Sequence, residues 1–202
     1  MNKVLVLFLG LILLPSTSQA VDYKENVNYE VVKQTATEAP EVMEFFSFYC
    51  SHCFKFEPLM SALQDNLADN VQIKKNHVNF LGGEMGPQLT RAYAAAEILQ
   101  VEDKVAKIIF EQLHKQRKAV NGEKDILAIF EQAGVSQKEA KSALASFPVS
   151  GLASQMKRDT ETFQISGVPT LIVNGKYKIN MGSVKNTQEF IGLVKFLTKK
   201  KD

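Results

Sequence analysis

Residues 41–53 read EVMEFFSFYCSHC. Up to residue 49 the run is nearly all apolar and aromatic, which is typical of a β-strand that is covered on both faces of its sheet. From residue 54 to 67 apolar side chains recur at helical spacing, and a proline within this segment is expected to bend the helix rather than abolish it. The pattern therefore predicts a strand over residues 41–49, a helix over residues 54–67, and two cysteines, Cys50 and Cys53, at the turn between them.

The rest of the chain continues the alternation of strands and helices. Periodicity and turn residues predict strands over residues 29–32, 71–80, 171–173 and 177–179, and helices over residues 88–100, 102–116, 124–133, 136–147 and 151–163. Asn174-Gly175 is a strong hairpin signal. Asn186 or Thr187 is expected to cap a final amphipathic helix.

This order of elements predicts an α/β layer fold that is interrupted by a block of helices. We expect residues 21–82 to form the first part of the α/β domain and residues 151–202 its second part. Residues 83–150 are expected to form the inserted helical domain.

The N-terminal residues predict export from the cytoplasm. A lysine near the start precedes an apolar run from residue 4 to 14, and Ser18-Gln19-Ala20 has the small-x-small pattern of a cleavage site. A transmembrane anchor is the alternative, but this run falls well short of the ~20 apolar residues that a spanning helix needs. We therefore expect residues 1–20 to be a signal peptide that is cleaved after Ala20.

The cysteine pair points to redox chemistry. The chain has only two cysteines, in the run Cys50-Ser51-His52-Cys53. In an exported protein a structural disulfide stabilises most when it closes a long loop, and this pair closes almost none. Disulfide exchange needs a thiolate, and the unpaired N–H groups and dipole of the following helix favour an anion at Cys50. A protonated His52 would add a nearby positive charge, and a stabilised reduced form makes the disulfide an oxidant.

Metal and haem sites fit the sequence less well. Structural zinc needs about four ligands, and only His52, His77 and His114 could join the cysteines. Haem attachment needs a histidine directly after the second cysteine, where Phe54 stands. We therefore expect no metal ion and no cofactor.

Two further residues are candidates for the site. Glu44 interrupts the apolar strand, and it could be an edge-strand charge in solvent. Because its neighbours are apolar, we expect it instead to be desolvated, with a raised pKa, and able to exchange protons with the buried cysteine. Pro169 follows Val168 just before a predicted strand. Spacing alone does not distinguish a cis from a trans bond there, since only ~5% of X-Pro bonds in folded proteins are cis.

Several motifs resemble those of one family. They are EFFSFYCSHC at residues 44–53, HVNF at 77–80 with GG at 82–83, and GVP at 167–169 followed by VNGKY at 173–177. In this order they are similar to bacterial DsbA proteins, the periplasmic dithiol oxidases of the thioredoxin superfamily. The resemblance covers nearly the whole chain after the predicted signal peptide.

The resemblance implies a thioredoxin fold, a central mixed β-sheet flanked by helices, with the inserted helical domain. Cys50 would be the exposed attacking sulfur and Cys53 the buried one. Val168–Pro169 would be a cis peptide that faces the disulfide and pairs with the extended chain of a substrate. Glu44 would be the buried acid of the family, with Lys75 as its partner.

The resemblance also implies the activity and the partners. The chain would donate its disulfide to reduced, unfolded secreted or periplasmic proteins, and a DsbB-like inner-membrane protein would reoxidise it with quinone. The family most often has Cys-Pro-His-Cys, whereas this chain has Ser51 in place of the proline. This difference leaves the reaction class intact and bears on the redox potential.

Other functions make different predictions. A disulfide isomerase or reductase is the alternative within enzymes, but isomerases of this fold usually carry a dimerisation domain, for which the short segment before the first cysteine strand leaves no room. We expect a monomer. A copper or zinc metallochaperone would use Cys50 and Cys53 as soft ligands, and a pure chaperone would need neither cysteine. The formal net charge of +2 suggests neither nucleic acid nor an anionic membrane as a partner.

Overall fold

The computed structural model describes residues 22–200 of the chain, so the predicted signal peptide, residues 1–20, lies outside the described residues. The strands are β1 (Tyr29–Val31), β2 (Glu41–Phe46), β3 (Gln72–His77), β4 (Thr170–Val173) and β5 (Tyr177–Ile179). The α-helices are α1 (Ser51–Gln64), α2 (Met85–Ile98), α3 (Glu102–His114), α4 (Glu123–Gln132), α5 (Gln137–Leu144), α6 (Phe147–Thr162) and α7 (Thr187–Lys199). No helix in this range combines the length and the apolar character needed to cross a bilayer.

The five strands form one mixed sheet in the order β1-β5-β4-β2-β3. Strand β2 runs parallel to β3 and antiparallel to β4. The pairs β1–β5 and β5–β4 are also antiparallel. Because β2 has a neighbour on each side, its backbone groups are satisfied without solvent. The predicted α/β class and central mixed sheet are confirmed.

The predicted hairpin and the final helix are both present. Asn174 and Gly175 adopt positive φ angles of 52° and 59°, and the N–H of Lys176 closes the turn on the carbonyl of Val173 at 3.0 Å. Asn186 caps α7, since its side-chain oxygen accepts a hydrogen bond from a backbone N–H in the first turn of the helix at 2.9 Å. Turn chemistry and capping therefore located these elements correctly.

Helices pack against the sheet in two large cores. In one of them α1 and α7 meet the strands, with Leu63 and Leu193 fully buried. The other core joins Phe46, at the end of β2, to the helices that lie between β3 and β4, for example through Phe110 of α3. Cys53 is a member of this second core, so the cysteine pair lies where the sheet meets the helical segment.

Strand β2 ends at Phe46, not at residue 49 as the sequence predicted. The backbone turns after this point, and the N–H of Cys50 donates to the carbonyl of Ser47 at 3.0 Å. Phe48 lies within this turn and is fully buried. A buried turn residue has the same apolar character as a strand residue, which is why hydrophobicity overestimated the strand.

The boundary between α5 and α6 also differs from the prediction. Helix α5 ends at Leu144, and α6 begins at Phe147 rather than at residue 151. The Oγ atom of Ser146 caps α6 by accepting from the N–H of Val149 at 3.4 Å. Pro148 then occupies the first turn of the helix, where a missing N–H costs nothing.

Candidate active site

Cys50 is the N-cap of helix α1. Its backbone is extended, and its Sγ atom accepts a hydrogen bond from the backbone N–H of Cys53 at 3.0 Å. Because the sulfur takes the capping role that a side-chain oxygen usually has, the helix begins at Ser51, earlier than the predicted residue 54. The predicted position of Cys50 at the positive end of a helix is confirmed, and N–H donors at that end favour a negative sulfur.

The two thiols, both free in this structure, differ in exposure. Cys50 retains 8% exposure, whereas Cys53 has none. Burial raises the pKa of the Cys53 thiol, its hydrogen bond to Cys50 and the charge of Glu44 raise the pKa further, and a hydrogen bond from the Ser47 backbone acts in the opposite direction. Cys53 is thus held as a neutral thiol, and Cys50 is the sulfur that another molecule can reach.

The peptide group between Val168 and Pro169 lies against Cys50. The bond is cis, and the Val168 carbonyl oxygen is 3.4 Å from Cys50 Sγ. Both residues are half-buried and directly precede Thr170, the first residue of β4. The structure therefore brings Val168 and Pro169 to Cys50, and the bond between them is cis as the resemblance implied.

Glu44 lies inside the molecule, so the alternative of a solvated edge-strand charge is wrong. Its side chain is fully buried in β2, an interior strand of the sheet. Burial raises the pKa of Glu44 to about 7, the charge of Lys75 opposes this increase, and the charge of Glu57 adds to it. Among the described residues neither carboxyl oxygen of Glu44 has a hydrogen-bond partner. The predicted desolvation and raised pKa are confirmed, and Glu44 raises the pKa of Cys53 through its charge.

Lys75 links Glu44 to the surface. It is directly opposite Glu44 in the parallel β2–β3 pair, and its Nζ atom lies 3.4 Å from Glu44 Oε2 and 2.7 Å from Glu57 Oε1. Burial alone would lower the pKa of Lys75, but the two carboxyl groups raise it above its ordinary value. Sequence reasoning missed Glu57, although its position one helical turn after Cys53 places both residues on the same face of α1.

Two histidines hold the backbone of Phe48, just before Cys50. The N–H of Phe48 donates to His77 Nε2 at 3.2 Å, and the carbonyl of Phe48 accepts from His114 Nε2 at 2.8 Å. Burial lowers the pKa of His77 to about 3, so its ring stays neutral and its Nε2 atom accepts. Sequence reasoning considered both histidines only as possible zinc ligands. Within residues 22–200 no group of three or more His, Cys, Asp or Glu side chains could hold a metal ion.

His52 is exposed on the first turn of α1. Among residues 22–200 its ring has no hydrogen-bond or ion-pair partner, so the structure brings it near Cys50 through chain proximity and not through a bond. An effect of His52 on the sulfur stays a prediction.

Gly82 fits closely against the residue before Cys50. Its φ angle is +85°, and a Cβ atom at this position would collide with the ring of Tyr49. A left-handed backbone together with this close approach requires glycine. This packing accounts for the first residue of the GG motif at 82–83.

Comparison with known proteins agrees with this geometry. The family model described as the DSBA-like thioredoxin domain matches residues 41–191, which include both cysteines, Glu44 and Pro169. The chain belongs to this DsbA family. As a family member it is a thiol:disulfide oxidoreductase with a thioredoxin fold.

Curated and solved DsbA proteins are similar over most of their length. The thiol:disulfide interchange protein DsbA of Escherichia coli strain K12 is 36% identical over 211 residues and covers 100% of both chains. A structure of Proteus mirabilis DsbA with a non-covalently bound peptide aligns with a TM-score of 0.83 and 32% identity over 89% of this chain and 100% of that one. DsbA from Klebsiella pneumoniae aligns with a TM-score of 0.82 and 32% identity over 90% and 100%.

Proposed function

We propose that this protein is a thiol oxidase that donates the Cys50–Cys53 disulfide to reduced, exported proteins during their folding. One observation carries the proposal: the N–H of Cys53 donates to Cys50 Sγ at 3.0 Å at the start of α1. This donor and the helix dipole stabilise the thiolate that exists only in the reduced protein. Stabilising the reduced form makes the disulfide form a stronger oxidant.

The proposed reaction proceeds through a mixed disulfide. A substrate thiolate attacks Cys50 Sγ, the Cys50–Cys53 bond breaks, and Cys53 leaves with the electron pair. A second substrate thiolate then attacks the substrate sulfur of the mixed disulfide, and Cys50 leaves as the stabilised thiolate. The substrate loses two electrons and its two thiol protons, and the protein gains both electrons.

Glu44 is proposed to supply the proton that neutralises Cys53 as it leaves. A group with a pKa of about 7 is available in both protonation states near neutral pH. Lys75 and Glu57 would pass the proton onwards, since Lys75 contacts both carboxyl groups and Glu57 is only half-buried.

Substrate is proposed to bind at Val168 and Pro169. Their backbone lies next to Cys50 Sγ and just before β4, so an extended peptide could pair there while its cysteine reaches the sulfur. A structure of Proteus mirabilis DsbA holds a non-covalently bound peptide, which supports peptide binding by this fold.

The remaining parts of the proposal concern location, partners and domains. We propose that residues 1–20 direct export to the periplasm, where the protein acts as a monomer and a DsbB-like inner-membrane oxidase linked to quinone reoxidises it. The motif resemblance and the named DsbA relatives support this assignment. Residues 83–150, which contain α2 to α5, would form the inserted helical domain.

The proposal is tested by oxidation of a reduced, unfolded protein with the purified disulfide form. We expect one substrate disulfide to form for each Cys50–Cys53 disulfide consumed, and no oxidation by the Cys50→Ser variant. Wild-type protein that leaves the substrate reduced would refute the proposal. Stoichiometric copper or zinc retained after purification under reducing conditions would favour a metallochaperone instead.

A further inference from the structure

Residues 47–50 form a tight turn that positions Cys50, the more accessible of the two cysteines. The carbonyl of Ser47 accepts from the N–H of Cys50 at 3.0 Å, and the Oγ of Ser47 accepts from the N–H of Tyr49 at 3.2 Å. Both backbone groups of Phe48, at the centre of the turn, are bonded to histidine side chains. The orientation of Cys50 relative to α1 therefore depends on how firmly this turn is held.

The two histidines belong to different parts of the fold. His77 is the last residue of β3 and is fully buried. His114 is the last residue of α3, in the helical segment between β3 and β4, and is half-buried. Because a carbonyl oxygen can only accept, the Nε2 atom of His114 carries the proton in its 2.8 Å bond to Phe48.

The ring of His114 has a second contact near the cysteines. It stacks on Phe54, the residue after Cys53, with ring centroids 5.2 Å apart and an interplanar angle of 10°. It also lies 5.9 Å from the ring of Phe110. His114 thus contacts both the turn before Cys50 and the first turn of the helix after it.

We propose that His114 is a positioning residue for disulfide exchange, because its Nε2–H holds the Phe48 carbonyl and fastens α3 to the turn that orients Cys50. This inference deepens the proposed oxidase function and rests on it. This role depends on the hydrogen bond that His114 Nε2–H donates, and not only on the stacking of its ring against Phe54.

The proposed effect acts more on the reduced form than on the disulfide form. In the disulfide form a covalent bond to Cys53 fixes the position of Cys50 Sγ. In the reduced form non-covalent contacts keep the sulfur at the start of α1: the turn, the N–H of Cys53 and the carbonyl of Val168. A loose turn therefore destabilises the reduced form selectively and weakens the protein as an oxidant.

The test is the equilibrium of the full-length mature protein with glutathione, measured for wild type, three variants of His114 and one control variant. His114→Phe keeps an aromatic ring beside Phe54 and loses the donor. His114→Gln and His114→Met have side chains of similar length and shape, and only glutamine can donate. Lys104→Phe, at an exposed position of the same helix, controls for a general effect of changing α3.

We expect His114→Phe and His114→Met to lower the equilibrium constant for oxidation of glutathione by about fivefold, the effect of losing one hydrogen bond. His114→Gln and Lys104→Phe should stay within about twofold of wild type, well below that effect. If the phenylalanine variant does not fold, the Gln–Met pair decides alone. Equal constants for glutamine and methionine, or wild-type constants for every variant that lacks the donor, would overturn the inference. Since this equilibrium needs no protein substrate, it tests His114 even if the substrate oxidation proposed above fails.

Discussion

The backbone N–H of Cys53 donates to Cys50 Sγ at 3.0 Å, so the second cysteine stabilises the first through its main chain. Its side chain has the opposite character, because burial and nearby groups raise the pKa of the Cys53 thiol. Cys53 therefore provides both a backbone N–H that favours a negative sulfur at Cys50 and a thiol that resists ionisation. This asymmetry gives the two cysteines different roles in exchange.

The first prediction follows from these roles. Cys50→Ser should abolish oxidation of a reduced, unfolded substrate, because the variant cannot form the internal disulfide and its remaining thiol, Cys53, is fully buried. Cys53→Ser should trap a mixed disulfide when its Cys50 thiolate attacks a disulfide-containing substrate, since no second thiol is present to displace that substrate from Cys50. Non-reducing electrophoresis and peptide mapping of the trapped species measure this, and trapping through Cys53 in the first variant would reverse the assignment.

The second prediction concerns Glu44, whose pKa of about 7 lies above the ordinary value of 4.5. The folded protein binds the Glu44 proton more tightly than the unfolded chain does. The contribution of this proton to the free energy of unfolding is therefore complete below pH 4.5, and it is lost as the pH rises through about 7. The Glu44→Gln variant has no carboxyl group to ionise, so it does not lose this stability as the pH rises. The stability of the reduced variant relative to wild type should therefore increase between pH 4 and pH 8, by up to about 3 kcal/mol.

Denaturant unfolding of the reduced proteins at several pH values measures this difference. Glu41→Gln is the matched control, because Glu41 is in the same strand but pairs with the exposed Lys74 at 2.6 Å. The pH profile of disulfide exchange should also change in Glu44→Gln and not in the control. Parallel stability curves for wild type and Glu44→Gln would show that the carboxyl group does not titrate in this range.

The third prediction concerns Lys75, which favours the ionised form of Glu44. Lys75→Met removes this positive charge and should raise the pKa of Glu44 further above 7, so the pH dependence assigned to Glu44 moves to higher pH. Lys74→Met, on the neighbouring residue of β3, removes an exposed charge and should leave the profile in place. A shift to lower pH in Lys75→Met would mean that the lysine acts in some way other than through its charge.

The fourth prediction separates the two residues between the cysteines. His52→Ala should make the protein a weaker oxidant by more than ~30 mV, which corresponds to ~1.4 kcal/mol for a two-electron couple. Ser51→Pro should shift the potential by less, because two opposing effects offset each other: proline presets φ at the first helical position, and it removes a backbone N–H at the start of the helix. Lys55→Ala removes an exposed lysine from the same helix, α1, and controls for a general effect of charge on this helix. Redox titration of the variants measures these shifts. A larger shift in Ser51→Pro than in His52→Ala would mean that the backbone at the helix start, and not the histidine, sets the oxidising power.

The sequence predicted the features that depend on local patterns. The position of Cys50 at a strand-to-helix turn was predictable because a continuous apolar run is followed by apolar residues at helical spacing. The hairpin at Asn174-Gly175 was predictable because both residues readily adopt positive φ angles. Glu44 could be recognised as buried because a lone carboxyl stands among apolar side chains. Each of these inferences needs only neighbouring residues.

Features that depend on tertiary contacts were not predictable in the same way. His114 is distant from Phe48 along the chain, and nothing local indicates that its ring binds that carbonyl. The contact of Lys75 with Glu57 requires the register of β3 against β2 and the packing of α1. The early end of β2 also escaped prediction, because a buried turn and a buried strand have the same composition.

The most direct test of the account is the equilibrium of the Cys50–Cys53 disulfide with glutathione. If N–H donors at the start of α1 stabilise the reduced form, the potential should lie above about −180 mV, so that glutathione is oxidised readily. A potential near about −270 mV, the range of thioredoxin, would describe a reductant and contradict the proposal that the protein donates its disulfide.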